Sequence, residues 1–251
     1  MTARLLLLAV VAIAAIVPYD ALADVRPSLA DEGPSVARWL GTDHLGRDVL
    51  RRLCAGGGAF FGPGLGAAAL AAFGGTLAGA AAGWSGGAVA GVVRAAFRAI
   101  EAIPSLVLVL LCLMALGAGP VQLALAGGLA GMPALASALD ARITSLKSAE
   151  FVLAARAHGI PPHRLLWWHL VWVNGRAIVA REALAVVGSV LVLEVTLSYL
   201  GHFGVAEPAA SWGNMLSHAI STGCPNRWSW LAPAGAVLAS VWATSPGPVR
   251  R

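Results

Sequence analysis

Residues 150 to 174 read EFVLAARAHGIPPHRLLWWHLVWVN and set Glu150, Arg156, His158, His163, Arg164 and His169 inside an otherwise oily chain. Three histidines would suit a metal, but their spacings of five and six residues do not place them on one helix face, so none is expected there. A second polar group lies in LGTDHLGRDVLRRL, residues 40 to 53, with Gly41, Thr42, Asp43, Gly46, Arg47 and Asp48. One histidine, His44, between the acids Asp43 and Asp48 is a poor donor set for a metal, and no metal site is expected in this loop either. Glu194 is the one acid inside an otherwise apolar run, and intramembrane acids face a cavity or a partner helix. No HExxH occurs and no pair of acids stands within the apolar runs, so the chain is not read as an enzyme. No GxxxxGK[ST] loop occurs either, so the chain does not hydrolyse ATP itself. Cys54, Cys112 and Cys224 lie far apart without CxxC spacing and read as small apolar fillers.

The elements that must hold these groups are membrane helices. Of 251 residues, 58% are apolar and 12% charged, with a mean hydropathy of +0.77. A soluble domain carries about 25% charge. Several apolar runs approach the roughly 20 residues that cross about 30 Å of hydrocarbon. The expected fold is all-α, a polytopic bundle of about six transmembrane helices. The net charge of +5 could suggest nucleic acid, but the basic residues sit between apolar runs rather than on one stripe, and no nucleic-acid partner is expected.

The first run is Leu5 to Val17, followed by an Ala21-Leu22-Ala23 that imitates a signal-peptidase site. From those residues a cleaved signal and a retained span stay equally open. Pro18 to Leu53 is the longest polar stretch and holds half of the acids, and its first half reads as irregular. Gly56 to Gly83 is the second run, with ladders Gly58-Gly62-Gly66 and Gly75-Gly79-Gly83 that suit close helix approach in lipid. The third is Ile100 to Leu116, with Pro104 near its first turn, and the fourth is Val121 to Leu139. Ala183 to Leu200 and Trp228 to Ala243 are the fifth and sixth, the last rimmed by tryptophans. In domain terms, residues 1–20 form the first span, 21–55 an extracytoplasmic segment, and 56–251 a core with a loop at about 145–174.

With the N-terminus inside, eleven of the 17 basic residues lie in the cytoplasm and six outside. That follows the positive-inside rule. Glu150 to Gly159 is then cytoplasmic, and Gly41 to Asp48 is outside. Glu150 to His158 reads as a short helix with an acid at its positive end and alanines that give propensity without bulk. Gly159 suits a left-handed C-terminal cap, and Pro161-Pro162 forbid continuation. A second short helix, about His163 to Trp172, leads back to the membrane. Such an elbow suits docking into a groove on another protein. It equally suits a plain helix lying in the lipid headgroups, helped by Trp167, Trp168 and Trp172. Outside, Thr42 or Asp43 could cap a helix containing Val49 to Leu53, with Arg47 and Asp48 as paired groups. A gate or dock and a purely structural cap both remain open there. Trp212 and Gly213 are expected to anchor the external loop at the interface.

EFVLAARAHG resembles the EAA loop of permease subunits of bacterial ABC importers, and with Arg164 and His169 it is similar to the dipeptide/oligopeptide/nickel permease family. HLGRDVL resembles that family's motif before its second helix, and LSYLGHFGVAEPAASWGNML, residues 197 to 216, its stretch before the last helix. Three motifs in order identify the subunit type with the GTD-x-x-GRD loop, a type I importer permease. IVPYD, residues 16 to 20, is similar to the family's APYDP at the outer end of a retained first helix.

The resemblance implies a translocation path for di- or oligopeptides, or else for nickel or another metal chelate. It implies a second permease subunit as heterodimer partner, two cytoplasmic ATPase subunits that use the ATP, an extracytoplasmic substrate-binding protein, and no cofactor on this chain. It implies a multi-pass place in the bacterial cytoplasmic membrane, among lipid. Glu150, Ala154, Ala155, Arg156, Gly159 and Arg164 would form the ATPase coupling loop, with Ala154 and Ala155 as contact surface and Gly159 as elbow. Several features depart from the family: CAGGGAF replaces a GAR, WVN lacks the usual proline of LPN, and the loop between the third and fourth runs is short. The chain stops at TSPGPVRR without the family's LGD-x-LRD-x-LDP tail. A truncated, non-transporting homologue is therefore a further expectation.

Overall fold

The computed structural model describes residues 19–20, 22, 24–201 and 203–245. The first apolar run lies outside the described residues, as does its IVPYD ending apart from Tyr19 and Asp20. Those described form helices and connecting turns. In chain order the helices are α1 (Val49–Gly56), α2 (Gly58–Ser85), α3 (Gly87–Glu101), α4 (Ser105–Leu116), α5 (Pro120–Leu146), α6 (Glu150–Ala157), α7 (Pro162–Leu200), α8 (Trp212–Ser221) and α9 (Trp228–Thr244). Three stretches are long and apolar enough to cross a membrane: Val49–Ser85, Pro120–Leu146 and Pro162–Leu200. The α3–α4 pair, bent by 87°, makes a fourth if it is one broken span. The bend falls at Pro104, whose ring cannot continue the helix before it. Helix α9, at 17 residues, stands at the lower limit of what a crossing needs.

Three elements differ from the sequence reading. Helix α3 was not anticipated, because Arg94 and Arg98 interrupt its apolar residues and it never registers as a run. Helix α8 lies where only an interfacial loop was expected; its start is fixed by a Ser211–Asn214 capping box, not by hydropathy. Finally, the short helix after the elbow and the fifth run are one element. Helix α7 spans 39 residues, because Arg176, Arg181 and Glu182 break the hydropathy but favour the helix. Leu165–Val173 within it is wound as a wider π-helix, and Asn174 Nδ2 donates to the carbonyl of His169 (2.7 Å) at its end.

The described residues pack into two compact units. One comprises residues 19–65, Cys112–Ala124 and Val187–Ser245. Its core holds Val49, Phe60, Leu191, Trp212 and Met215. The other comprises Gly66–Leu111 and Leu125–Val186, with a core of Ala80, Leu139, Ile143, Val152, Leu165 and Leu170. In this second unit the ladder Gly75-Gly79-Gly83 packs on α5. A Cβ on Gly75 would come 2.9 Å from Leu135, on Gly79 2.6 Å from the carbonyl oxygen of Ala136, and on Gly83 2.8 Å from Ile143. Any larger residue would force the helices apart. The first ladder is different: Gly62 faces open space.

Candidate functional site

The motif Gly41 to Asp48 folds as a knot whose residue types are each required by geometry. Gly41 and Gly46 adopt φ of +72° and +74°, left-handed values that favour glycine. A side chain at Gly41 would overlap the carbonyl oxygen of Glu32, and one at Gly46 that of Arg26. The Thr42 hydroxyl donates to the carbonyl of Leu29 and accepts from the amide of Glu32 (2.9 Å). Asp43 Oδ1 accepts from the amides of Leu45 and Arg47, both at 2.9 Å. The helix cap is Asp48, not Thr42 or Asp43: its carboxylate accepts from the amides of Leu50 (2.8 Å) and Arg51 (3.1 Å) at the start of α1. Asp43 is instead turned toward the arginines, where a buried charge demands it.

Those arginines form the centre. Arg47 and Arg52 are 0% and 1% exposed. Arg47 Nε donates to Asp43 Oδ2 at 2.8 Å and Nη2 to Glu207 Oε1 at 2.8 Å. Arg52 Nη1 donates to Asp43 Oδ2 at 2.6 Å, and its Nη2 reaches Glu207 Oε1 (3.3 Å) and Asn214 Oδ1 (3.2 Å). The expected pairing of Arg47 with Asp48 is therefore corrected: Arg47 pairs with Asp43 and Glu207, because Asp48 is occupied as the cap. Two buried cations meet two acids, which is the condition for keeping such charges out of water. Glu207 and Asn214 belong to the second motif, LSYLGHFGVAEPAASWGNML, so the two motifs close on each other. Trp212 is a core residue rather than an interfacial anchor. It is 2% exposed, and its Nε1 donates to the carbonyl of Leu53 (2.8 Å) while its ring lies 5.2 Å from that of Phe60.

Glu194 is 1% exposed and accepts from the Ser198 hydroxyl one turn along α7 (2.6 Å). Its Oε2 has no hydrogen-bond partner among the described residues.

The second candidate site is α6 and its elbow. Gly159 has φ +73°, the amide of Ile160 donates to the carbonyl of Ala155 (3.0 Å), and that of Gly159 to Arg156 (3.0 Å). This is a Schellman closure, and it demands the left-handed residue. Pro162 then opens α7 at a position where its missing N–H costs nothing. Val152 anchors α6 in the core of its unit, and Ala155 is packed partly against that core. The outer face carries Glu150, Phe151, Leu153, Ala154, Arg156 and Ala157, with Arg164 exposed beyond the elbow. Ala155 is thus turned inward more than expected, because it shares the face of Val152 three residues before it. The two large apolar side chains, Phe151 and Leu153, were missed by reading only the alanines; they are 42% and 54% exposed. Arg156 lies over the ring of Trp84 at 5.3 Å and Lys147 at 6.0 Å. Between α3 and α5, Arg94 makes a two-point pair with Asp140 (2.7 and 2.9 Å), a contact that the sequence did not suggest.

No family model matches the chain. Individual proteins do. Over 222 residues the chain is 32% identical to a protein named as a peptide permease in Brucella suis, covering 88% of this chain and 73% of that one. It is 30% identical over 213 residues to the oligopeptide transport system permease protein OppC of Bacillus subtilis, covering 85% of this chain and 69% of OppC. With the glutathione transport system permease protein GsiD of Pectobacterium atrosepticum it shares 28% identity over 206 residues, 82% of this chain and 68% of GsiD. These relatives are transport permeases, and together with the apolar helices they make the chain a multi-pass protein of the inner membrane that works with partner subunits. The motif-by-motif likeness and the identity across nearly the whole chain converge: the protein belongs to the ABC peptide-transport permease family.

Proposed function

We propose that this chain is one half of the translocation path of an ATP-driven importer of di- or oligopeptides. It pairs with a second permease subunit, receives peptide from an extracytoplasmic binding protein, and is driven by two cytoplasmic ATPase subunits, which bind the ATP. Peptide rather than nickel is favoured by the names of the relatives, which concern peptides, dipeptides and glutathione.

The observation that carries the reading is the outer face of α6. Phe151, Leu153, Ala154 and Ala157 make an apolar surface of the kind that a cleft in another protein covers. The Schellman elbow at Gly159 holds that surface at a fixed angle to α7. ATP-driven closure of the ATPases then moves α6 as a rigid body and switches access to the path. The buried Arg47–Asp43–Arg52–Glu207 knot holds the outer loops while this happens. Ala154→Cys in an otherwise cysteine-free chain, coexpressed with its ATPase subunits, should cross-link to one of them. Accessibility of the same cysteine only from the far side of the membrane would overturn the reading.

A further inference from the structure

His44, on the loop of the first motif, and His218, on α8, stack with ring centroids 5.2 Å apart and planes 20° from parallel. Glu207 Oε1 lies 3.6 Å from His218 Nε2. One ligand atom from each of the three residues falls within 4.8 Å of the others. We propose that His44, Glu207 and His218 form a binding site for a divalent transition metal of the zinc type, which staples the first-motif loop to α8.

The donor set decides the class. Two imidazoles and one carboxylate suit Zn²⁺, Ni²⁺ or Co²⁺, whereas Ca²⁺ and Mg²⁺ take oxygen ligands. Tetrahedral bonds of about 2.0–2.1 Å place ligand atoms roughly 3.3 Å apart, so the triad closes on an ion with side-chain rotations of about 1 Å. There is freedom for that: the side chains of His218 and Glu207 are 39% and 26% exposed. Both histidines also border a cavity of about 10 Å³, enough for one water-sized particle, with Asp43, Arg52 and Cys224 in its wall.

The surroundings are built to hold the ligands. Arg47 and Arg52 both address Oε1 of Glu207, the oxygen that faces His218, and so orient the carboxylate as an outer-shell partner does. Asp43 ties down the amides of Leu45 and Arg47 just after His44, and the Ser211–Asn214 box fixes the start of the helix that carries His218. The charges of Arg47 and Arg52 are offset by Asp43 and Glu207, so the ion does not meet an uncompensated cationic patch. Sequence spacing could not reveal this triad, since its members stand at 44, 207 and 218.

The test uses the full-length chain purified in detergent, stripped with chelator and freed of it, and needs no transport assay. Zn²⁺ is titrated in competition with a chromophoric indicator, and Co²⁺ is added to read its visible spectrum. One equivalent of Zn²⁺ should bind, with affinity lowered about tenfold or more in His44→Ala and in His218→Ala. Co²⁺ should give the strong bands of a four-coordinate site in the parent chain only. Absence of saturable Zn²⁺ binding to the parent chain overturns the proposal. So does unchanged affinity in both variants, which would place the ion on other residues. Should a variant lose its monodisperse elution, a Zn²⁺-dependent rise in Tm of the parent that persists in His44→Gln likewise overturns it.

Discussion

Arg47 and Glu207 stand 160 positions apart in the chain and meet at 2.8 Å, with the arginine side chain 1% exposed. One motif supplies the cation and another the anion. Removing an acid from this knot leaves buried guanidinium groups uncompensated, which costs about 3–5 kcal/mol. Asp43→Asn is the sharper case, because Asp43 serves both arginines and two backbone amides. It should lower the thermal midpoint of the purified chain strongly.

Glycines of the same chain should separate into two classes. Gly46→Ala puts a side chain into the Arg26 carbonyl and forces a left-handed backbone, the latter alone costing about 1–2 kcal/mol. Gly62→Ala meets open space in the interior of α2 and should be neutral or slightly stabilising. Thermal unfolding in one detergent ranks them; equal midpoints would remove the steric account of the knot.

At the elbow, Gly159 has nothing within 4 Å of where a Cβ would be, so conformation and not space is at stake. Gly159→Val should cost about 1–3 kcal/mol at the cap and, in the reconstituted importer, lower peptide uptake while ATP hydrolysis persists. Gly159→Asn, which tolerates the left-handed region, should keep both. Full uptake by the valine variant would refute the fixed-angle account.

Cys224 is buried, and its Sγ donates to Asp31 Oδ1 at 2.7 Å. Burial, then the hydrogen bond to Asp31, pushes its pKa above the ordinary thiol range. The folded state therefore favours the neutral thiol, a contribution complete below the usual thiol pKa and lost as pH climbs through the raised one. Maleimide should label it at neutral pH far more slowly than in the unfolded chain, with the Cys54→Ala/Cys112→Ala background isolating the signal. Labelling at the unfolded rate would contradict this.

Much of the fold was legible, for a plain physical reason: a lipid-spanning helix announces itself by length and apolarity. That is why α2, α5 and α9 fall close to their apolar runs. The EAA helix and Gly159 were legible from propensity and cap chemistry. What was not legible depends on contacts between distant residues. Asp48 rather than Asp43 is the cap because Asp43 is claimed by arginines, and both of these are paired to an acid in another motif. Trp212 has the composition of an interfacial residue, yet Gly56 leaves room for its indole in the core. The partner of Arg94, 46 positions away, had no local signature at all.

The ladder Gly75-Gly79-Gly83 has a mechanical corollary. With no side chain on its own side of the seam, the α2 backbone rests directly on Leu135, Ala136 and Ile143 of α5, and such a seam has few torsions left to absorb a displacement. The two helices should travel as one plank whenever the importer cycles. Bending then falls to the end of the seam, at Gly86-Gly87, where two consecutive positive φ angles with open space around them make a natural pivot.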